Sequence, residues 1–229
     1  MTEHKPILIV IAGPNGSGKT TITSKILKHE WLEDAVYINP DTIAQEKFGD
    51  WNSTEAILQS IQYCENLRNT CLGNKQSLIF ETVLSSENKV EFIKKAIDAG
   101  YFVRLFFVCT NSPAINASRI ANRVIEGGHD VPISKIISRF QKSITNCLKL
   151  RDSVDRLYVY DNSVENEDAT LLFRFANGNL MKKYITEVPQ WAVPLLLNSY
   201  TEPLFSIQFL SSGKKLLNST SPYPFHSLK

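Results

Sequence analysis

The sequence predicts an α/β protein with a five-stranded, mostly parallel sheet, helices on both faces, a helical lid and a C-terminal hairpin. Short apolar segments alternate with helical patterns along the first 160 residues. Each segment is apolar throughout, which is typical of strands buried on both faces and therefore of a parallel sheet. A chain of 229 residues is long enough to bury the core of such a domain.

The elements follow one another in a regular order. Strands are predicted at residues 7–12, 35–39, 78–80, 101–108 and 157–160. Helices are predicted at residues 18–30, 54–72, 86–100, 112–126 and 134–150. Asn177-Gly178, between alternating apolar residues, predicts a hairpin at about 170–186. We expect one domain over residues 1–195, with a lid at about 112–150, and an extension without a clear pattern at 196–229.

The loop after the first strand carries the most specific motif. Residues 13–20 fit the pattern G-x-x-x-x-G-K-[ST], and they lie between a strand and a helix as that pattern requires. This context predicts a P-loop that binds a nucleoside triphosphate, with Lys19 on the β- and γ-phosphates and the Thr20 hydroxyl on Mg²⁺. The alternative is a chance glycine-rich turn. The residues expected to contact the nucleotide are Gly13, Asn15, Gly16, Ser17, Gly18, Lys19, Thr20 and Thr21.

Carboxylates follow the second and third strands, at the edge where such sheets bind ligands. Asp41 is positioned to orient an acceptor hydroxyl and to take its proton, or else to cap a helix that starts at Thr42. Glu81 and Thr82 are candidate contacts for the acceptor or for a magnesium-bound water. The alternative for Glu81 is a solvated residue at the start of a loop.

Three arginines lie on the two helices of the predicted lid. Arg119 and Arg123 are four residues apart, and Arg139 follows on the next helix. On a mobile lid they are able to neutralise charge on a transferred phosphoryl group. A solvated basic helix face is the alternative reading. The Gly127-Gly128 pair predicts a hinge, and His129 is expected to shape that turn rather than to touch phosphate.

The bulk properties exclude several classes of function. The formal net charge is +2, too small to favour binding to nucleic acid or to an acidic membrane surface. No stretch is long and apolar enough to span a membrane, and the amino terminus has no signal-peptide pattern. The four cysteines lack metal-ligand spacing, and we expect reduced thiols in a cytoplasmic protein.

The motifs taken together favour a small-molecule kinase. The signatures of transport ATPases, protein kinases and GTPase switches are not found in the sequence. Two alternatives stay open: an ATPase that drives a conformational change in a protein partner, and a nucleotide-binding regulator with negligible turnover. In both, Asp41 would have no acceptor to activate.

Over residues 5–165 the chain resembles the zeta toxin family of P-loop kinases, in particular its short stand-alone bacterial members. The matching segments are residues 12–21, Asn39-Pro40-Asp41, Glu81-Thr82, Arg119-x-x-x-Arg123, Gly127-Gly128-His129-x-Val131-Pro132, Arg139-Phe140 and Asp161-Asn162-Ser163. The P-loop alone belongs to a very large superfamily. Its combination with Asn-Pro-Asp and Gly-Gly-His is more specific.

The resemblance implies a kinase that uses Mg²⁺ and ATP, or GTP as in some relatives. Its acceptor would be a hydroxyl of a UDP-activated amino sugar such as UDP-N-acetylglucosamine, and an antitoxin protein is a candidate partner. Carried over, Asp41 would be the base, Lys19 the phosphate clamp and Glu81 a substrate contact. Arg119, Arg123 and Arg139 would stabilise the transition state. Asn162, after the last strand, is a candidate contact for the nucleotide base.

Overall fold

A seven-stranded sheet runs through the part of the chain that the computed structural model describes, residues 5–26, 34–49, 53–128 and 130–197. The strands are β1 (Ile7–Ala12), β2 (Val36–Ile38), β3 (Leu78–Thr82), β4 (Phe102–Cys109), β5 (Arg156–Asp161), β6 (Thr170–Ala176) and β7 (Asn179–Lys183). The helices are α1 (Lys19–Ile26), α2 (Pro40–Phe48), α3 (Thr54–Gly73), α4 (Glu87–Asp98), α5 (Pro113–Ile125) and α6 (Ile133–Arg151). A 3-10 helix follows at Gln190–Leu195.

The order of strands across the sheet is β2-β3-β1-β4-β5-β6-β7. The first five strands are parallel, which confirms the predicted α/β class. The predicted number of five strands is wrong. The hairpin β6–β7 does not stand apart, because β6 pairs antiparallel with β5, with Leu157 opposite Phe175, and so extends the sheet to seven strands. Asn177 and Gly178 both have positive φ, 48° and 76°, as a tight hairpin turn requires.

The two faces of β1 belong to two separate cores. Leu8 and Val10 point into the larger core, which also contains residues of α3, α4 and α6. Ile9 and Ile11 point the other way, against Ile22 of α1. All of these β1 side chains are fully buried. The continuous apolar run at 7–12 is therefore explained by helices on both faces of the sheet.

Several boundaries differ from those predicted. The helix expected from Thr42 begins two residues earlier, at Pro40, because the Asn39 side chain accepts the Asp41 N–H and caps it. The predicted third strand extends to Thr82 and so includes Glu81. All four cysteines are buried and free, as expected. The predictions for residues 27–30, His129 and 198–229 fall outside the described residues.

None of the helices in the described ranges has both the length and the apolar character needed to cross a bilayer.

Candidate active site

The carboxyl ends of the parallel strands bring the predicted motifs together at one edge of the sheet. Ala12 pairs with Thr82, and the N–H of Gly13 donates to the Thr82 carbonyl at 3.2 Å. The loop after β1 therefore starts next to Glu81, and α2 begins beside β3 at the same edge. This register, and not closeness in sequence, places Asp41 and Glu81 near the P-loop.

The P-loop wraps around the ammonium group of its own lysine. Lys19 Nζ donates to the carbonyl oxygens of Gly13 and Pro14, both at 3.0 Å. Gly18 has a φ of +88°, a conformation that favours glycine, and a Cβ there would also displace the Asn162 amide, whose Nδ2 would lie 2.1 Å away. Thr20 and Thr21 open α1 with exposed side chains.

Two asparagines hold the loop from outside. Asn116 of α5, which is fully buried, donates from Nδ2 to the Asn15 carbonyl at 2.5 Å, and its Oδ1 accepts a hydrogen bond from Thr110. Asn162 donates from Nδ2 to the Ser17 carbonyl at 2.9 Å. Asn162 thus contacts the loop itself. Asn116 was missed at the sequence level because nothing in the pattern distinguishes it from any other polar residue of an amphipathic helix.

A cavity of about 640 Å³ opens over the P-loop. Among the described residues, its lining includes the cationic side chains of Lys19, Arg68, Lys89, Arg119, Arg123 and Arg139, and the acids there are Asp41 and Glu81 alone. A chain with a net charge of +2 therefore concentrates positive charge in this one cavity. Such a lining attracts polyanionic ligands.

The charged groups near Lys19 act on its proton equilibrium. Burial lowers the pKa of Lys19 to about 8, the charges of Glu81 and Asp41 oppose that shift, and those of Arg123 and Arg139 add to it. All four side chains therefore approach the Lys19 ammonium closely enough to influence it. A bound phosphate would add negative charge beside the Lys19 ammonium and would therefore raise the pKa of Lys19.

Asp41 lies in the first turn of α2, exposed and facing the cavity. The alternative prediction, that the Asp41 side chain caps this helix, is wrong. Asn39 is the N-cap, and Asp41 donates only its backbone N–H to the Asn39 side chain. The carboxylate of Asp41 is therefore left available to the cavity. Its place in the first turn also suits the positive end of the helix dipole.

Glu81 is held by a partner that the sequence did not reveal. Tyr37 donates its hydroxyl to Glu81 Oε1 at 2.8 Å, and Asn39 Nδ2 donates to the same hydroxyl oxygen at 2.9 Å. Burial and the nearby Glu81 raise the pKa of Tyr37 far above its usual range, so the hydroxyl stays protonated and donates to the carboxylate. Glu81 is thus half-buried and oriented, in contrast to the solvated residue that was the alternative.

The cavity wall that follows Glu81 in the chain contains a leucine in the left-handed backbone conformation. The buried Thr82 accepts the N–H of Leu84 on its hydroxyl at 3.1 Å, and Leu84 has a φ of +56°. Ser143 and Asn146 of α6 bind the carbonyls of Val83 and Leu84 and hold this conformation. A left-handed leucine costs of order 1–3 kcal/mol, and such strain clusters at ligand sites.

The three predicted lid arginines all line the cavity. Arg139 Nη1 donates to Asn15 Oδ1 of the P-loop at 3.1 Å, and Arg119 Nη2 donates to the Val164 carbonyl at 3.2 Å. Arg123 is exposed and lies close enough to Lys19 to influence its pKa. Helices α5 and α6 therefore both contact the P-loop, through Asn116 and Arg139.

The oxygen atoms that line the cavity fit a magnesium ion that is bound mainly by the phosphates of a nucleotide. Within the described ranges, no three acidic, histidine or cysteine side chains gather into a metal cage. Mg²⁺ does not need one, since it commonly takes one or two protein oxygens, phosphate oxygens and waters. The Thr20 hydroxyl and the carboxylates of Asp41 and Glu81 line the same cavity and are oxygen donors of this kind.

Solved structures share this fold. The AvrRxo1-ORF1:-ORF2 structure with ATP aligns with a TM-score of 0.59 and 18% identity, over 77% of this chain and 60% of that one. The PezAT toxin–antitoxin structure from Streptococcus pneumoniae aligns with a TM-score of 0.54 and 19% identity, over 76% and 73% of the two chains. This chain thus spans less than two thirds of the AvrRxo1 chain, and identities this low establish the fold alone.

Sequence comparison goes further. An uncharacterized protein of Haemophilus influenzae is 30% identical over 123 residues, which is 53% of this chain and 83% of that protein. The family model for zeta toxin matches residues 1–174, most of the chain. Family and fold together support a nucleotide-dependent phosphotransferase. The resemblance noted in the motifs is confirmed: this chain belongs to the zeta toxin family.

Proposed function

We propose that this protein transfers the γ-phosphoryl group of Mg²⁺·ATP to a hydroxyl of a small acceptor. The observation that carries the proposal is one cavity in which the P-loop lysine meets two carboxylates, Asp41 and Glu81, and an excess of cations. A site that only bound nucleotide would use a carboxylate beside the phosphates for Mg²⁺, and one would suffice. A site for transfer to a hydroxyl needs a further carboxylate that orients the acceptor and takes its proton.

The nucleotide would occupy the P-loop end of the cavity. Lys19 would turn from the carbonyls of Gly13 and Pro14 toward the β- and γ-phosphates, and the Thr20 hydroxyl would face the ion. Bound Mg²⁺ would supply charge neutralisation on the β- and γ-phosphates. The remaining P-loop contacts proposed are those of Gly13, Asn15, Gly16, Ser17, Gly18 and Thr21.

The acceptor would lie on the side of Asp41 and Glu81. In the transfer, the acceptor oxygen forms a bond to the γ-phosphorus while the bond to the β–γ bridging oxygen breaks, and ADP leaves. Asp41 takes the hydroxyl proton, and Glu81 with Thr82 holds the acceptor. Arg119, Arg123 and Arg139 stabilise the charge that spreads over the transferred group.

The acceptor we propose is a UDP-activated amino sugar such as UDP-N-acetylglucosamine, and this step rests on the family resemblance. A positively charged cavity suits the diphosphate of such a compound. Phosphorylating a cell-wall precursor would make the enzyme toxic. An antitoxin partner is therefore part of the proposal, supported by the toxin–antitoxin assembly of the PezAT structure.

The role of Asp41 is tested with Asp41→Asn and a matched control, Asp98→Asn, at the exposed end of α4. We expect Asp41→Asn to lower kcat about 100-fold or more, within the usual range for loss of a general base. Its ATP affinity and Tm should stay close to wild type, since Asn39 still caps α2. Equal turnover in Asp41→Asn and wild type would exclude Asp41 as the base.

A further inference from the structure

A buried arginine forms part of the wall of the cavity that opens over the P-loop. Arg68 of α3 is 4% exposed and lines the cavity together with Cys64 and Lys89. Its Nε has no hydrogen-bond partner. Among the described residues no carboxylate lies within ion-pairing distance of its guanidinium, whose close contacts are the rings of Phe80 and Phe92, with centroids at 5.3 and 5.7 Å.

Lys89 of α4 adds a second positive charge beside it. Lys89 is half-buried, and burial together with the charge of Arg68 lowers its pKa. The charge of Glu65 raises the pKa of both cations, but Glu65 forms an ion pair with neither. Two like charges thus lie close together in a partly desolvated pocket, and neither has an ion-pair partner among the described residues.

Holding these two cations together is unfavourable unless an anion joins them. A buried charge without a hydrogen-bonded partner is strongly unfavourable, and contact with two aromatic rings offsets only part of that penalty. Residues that lower stability in this way are typical of ligand sites. The cation–π contacts leave the buried Nε of the guanidinium without a hydrogen-bond partner.

We propose that Arg68 and Lys89 form a phosphate subsite, and that the acceptor carries a phosphate or diphosphate group bound there. This inference rests on the proposed function, because it describes the acceptor end of the same cavity. The forked guanidinium and the adjacent ammonium match the shape and double negative charge of phosphate better than a single carboxylate.

The position of the subsite fits an acceptor that reaches Asp41. Cys64 lies near both regions: burial raises the pKa of its thiol, and the charges of Arg68, Lys89 and Asp41 also act on it. All four residues line the same cavity. An acceptor held by its phosphate at Arg68 would therefore extend toward Asp41, where its hydroxyl meets the γ-phosphate.

The test measures binding without turnover. The full-length protein is first saturated with Mg²⁺ and a non-hydrolysable ATP analogue, which occupies the P-loop, and is then titrated with UDP, pyrophosphate, succinate or uridine. We expect UDP and pyrophosphate to bind, and their affinity to fall about tenfold or more in Arg68→Met and Lys89→Met, as for loss of a charge-assisted contact. Lys95→Met is the control, because Lys95 is exposed and lies on α4 like Lys89. This variant should bind UDP and pyrophosphate like wild type.

Thermal unfolding separates this role from a structural one. If Arg68 is kept for an anion, Arg68→Met should unfold at the same or a higher temperature, because the unpaired charge is gone while the packing on Phe80 and Phe92 remains. A clear loss of Tm with unchanged UDP affinity would make Arg68 a packing residue and overturn the proposal.

Two further outcomes are decisive. Equal binding of succinate would overturn the phosphate assignment, and so would a loaded protein that binds none of the phosphate compounds. Failure of the proposed function gives a different result: the loaded protein would bind UDP through Arg68 yet transfer no label from ATP, which would refute the kinase while confirming the subsite.

Discussion

Arg139 of α6 donates a hydrogen bond from Nη1 to Oδ1 of Asn15 in the P-loop at 3.1 Å. Helix α6, the second helix of the predicted lid, is thereby connected to the P-loop through side chains. The backbone carbonyl of Asn15 accepts a separate hydrogen bond from Asn116 of α5. A change in the loop on nucleotide binding would therefore act on Arg139, whose charge also influences the pKa of Lys19.

This pair predicts a measurable coupling. Asn15→Ala and Arg139→Met should each weaken ATP binding, and the double variant should lose less than the sum of the two. A double-mutant cycle on calorimetric ATP affinities should give an interaction energy of about 0.5–3 kcal/mol, as for residues in contact. Strict additivity would show that the contact does not contribute to nucleotide binding.

Two glycines with different surroundings provide a second test. Gly18→Ala should abolish ATP binding, because its φ is +88° and the new Cβ would lie 2.1 Å from Asn162 Nδ2. Gly73→Ala, at the end of α3 with nothing within 4 Å, should bind ATP like wild type and unfold at an equal or higher temperature. Both are checked by calorimetry and thermal unfolding. Normal ATP affinity in Gly18→Ala would contradict the described loop geometry.

The lowered pKa of Lys19 predicts a pH-dependent affinity for ATP. The free protein loses the Lys19 proton as the pH rises through about 8. Bound phosphate favours the charged form and raises that pKa, so affinity should be constant below pH 8 and fall up to about tenfold per unit above it.

Lys19→Arg is the matched control, since a guanidinium stays charged over this range. Its affinity should be lower at neutral pH but nearly flat from pH 7 to 9.5. A wild-type affinity that is equally flat would show that Lys19 keeps its proton throughout and that its burial is relieved in solution.

Tyr37→Phe tests the orientation of Glu81. Removing the hydroxyl deletes the bond to Glu81 Oε1 and leaves Asn39 Nδ2 without that acceptor. We expect KM for the acceptor to rise several-fold, with a loss of about 1 kcal/mol in stability and little change in KM for ATP. Tyr184→Phe, immediately after β7 and 40% exposed, should match wild type. A change confined to KM for ATP would place Glu81 on the nucleotide side instead.

Much of the fold follows from the sequence because its signals are local. The run Ile7–Ala12, the P-loop glycines and the Asn177-Gly178 turn each specify their own backbone, and parallel strands carry the loops that follow them to one edge. The predicted cavity residues Lys19, Asp41, Glu81 and Arg139 accordingly line one pocket. Their catalytic roles stay predictions.

The rest depends on contacts between distant parts of the chain. Tyr37 reaches Glu81 across 44 positions, and Asn116 reaches Asn15 across 101, and neither pairing leaves a periodic trace. Arg68 lies on a helix where an arginine is expected to face solvent, yet it is buried against Phe80 and Phe92. The hairpin was located correctly, but its pairing with β5 was not, because strand order is set by packing.

The most direct test of the account is transfer of label from γ-labelled ATP, with Mg²⁺, to UDP-N-acetylglucosamine. We predict that wild-type protein places the label on a sugar hydroxyl, as identified by mass spectrometry, and that Asp41→Asn does not, although it binds ATP normally. Label released only as free phosphate, equally by both proteins, would contradict the account and make the chain an ATPase or a nucleotide-dependent switch.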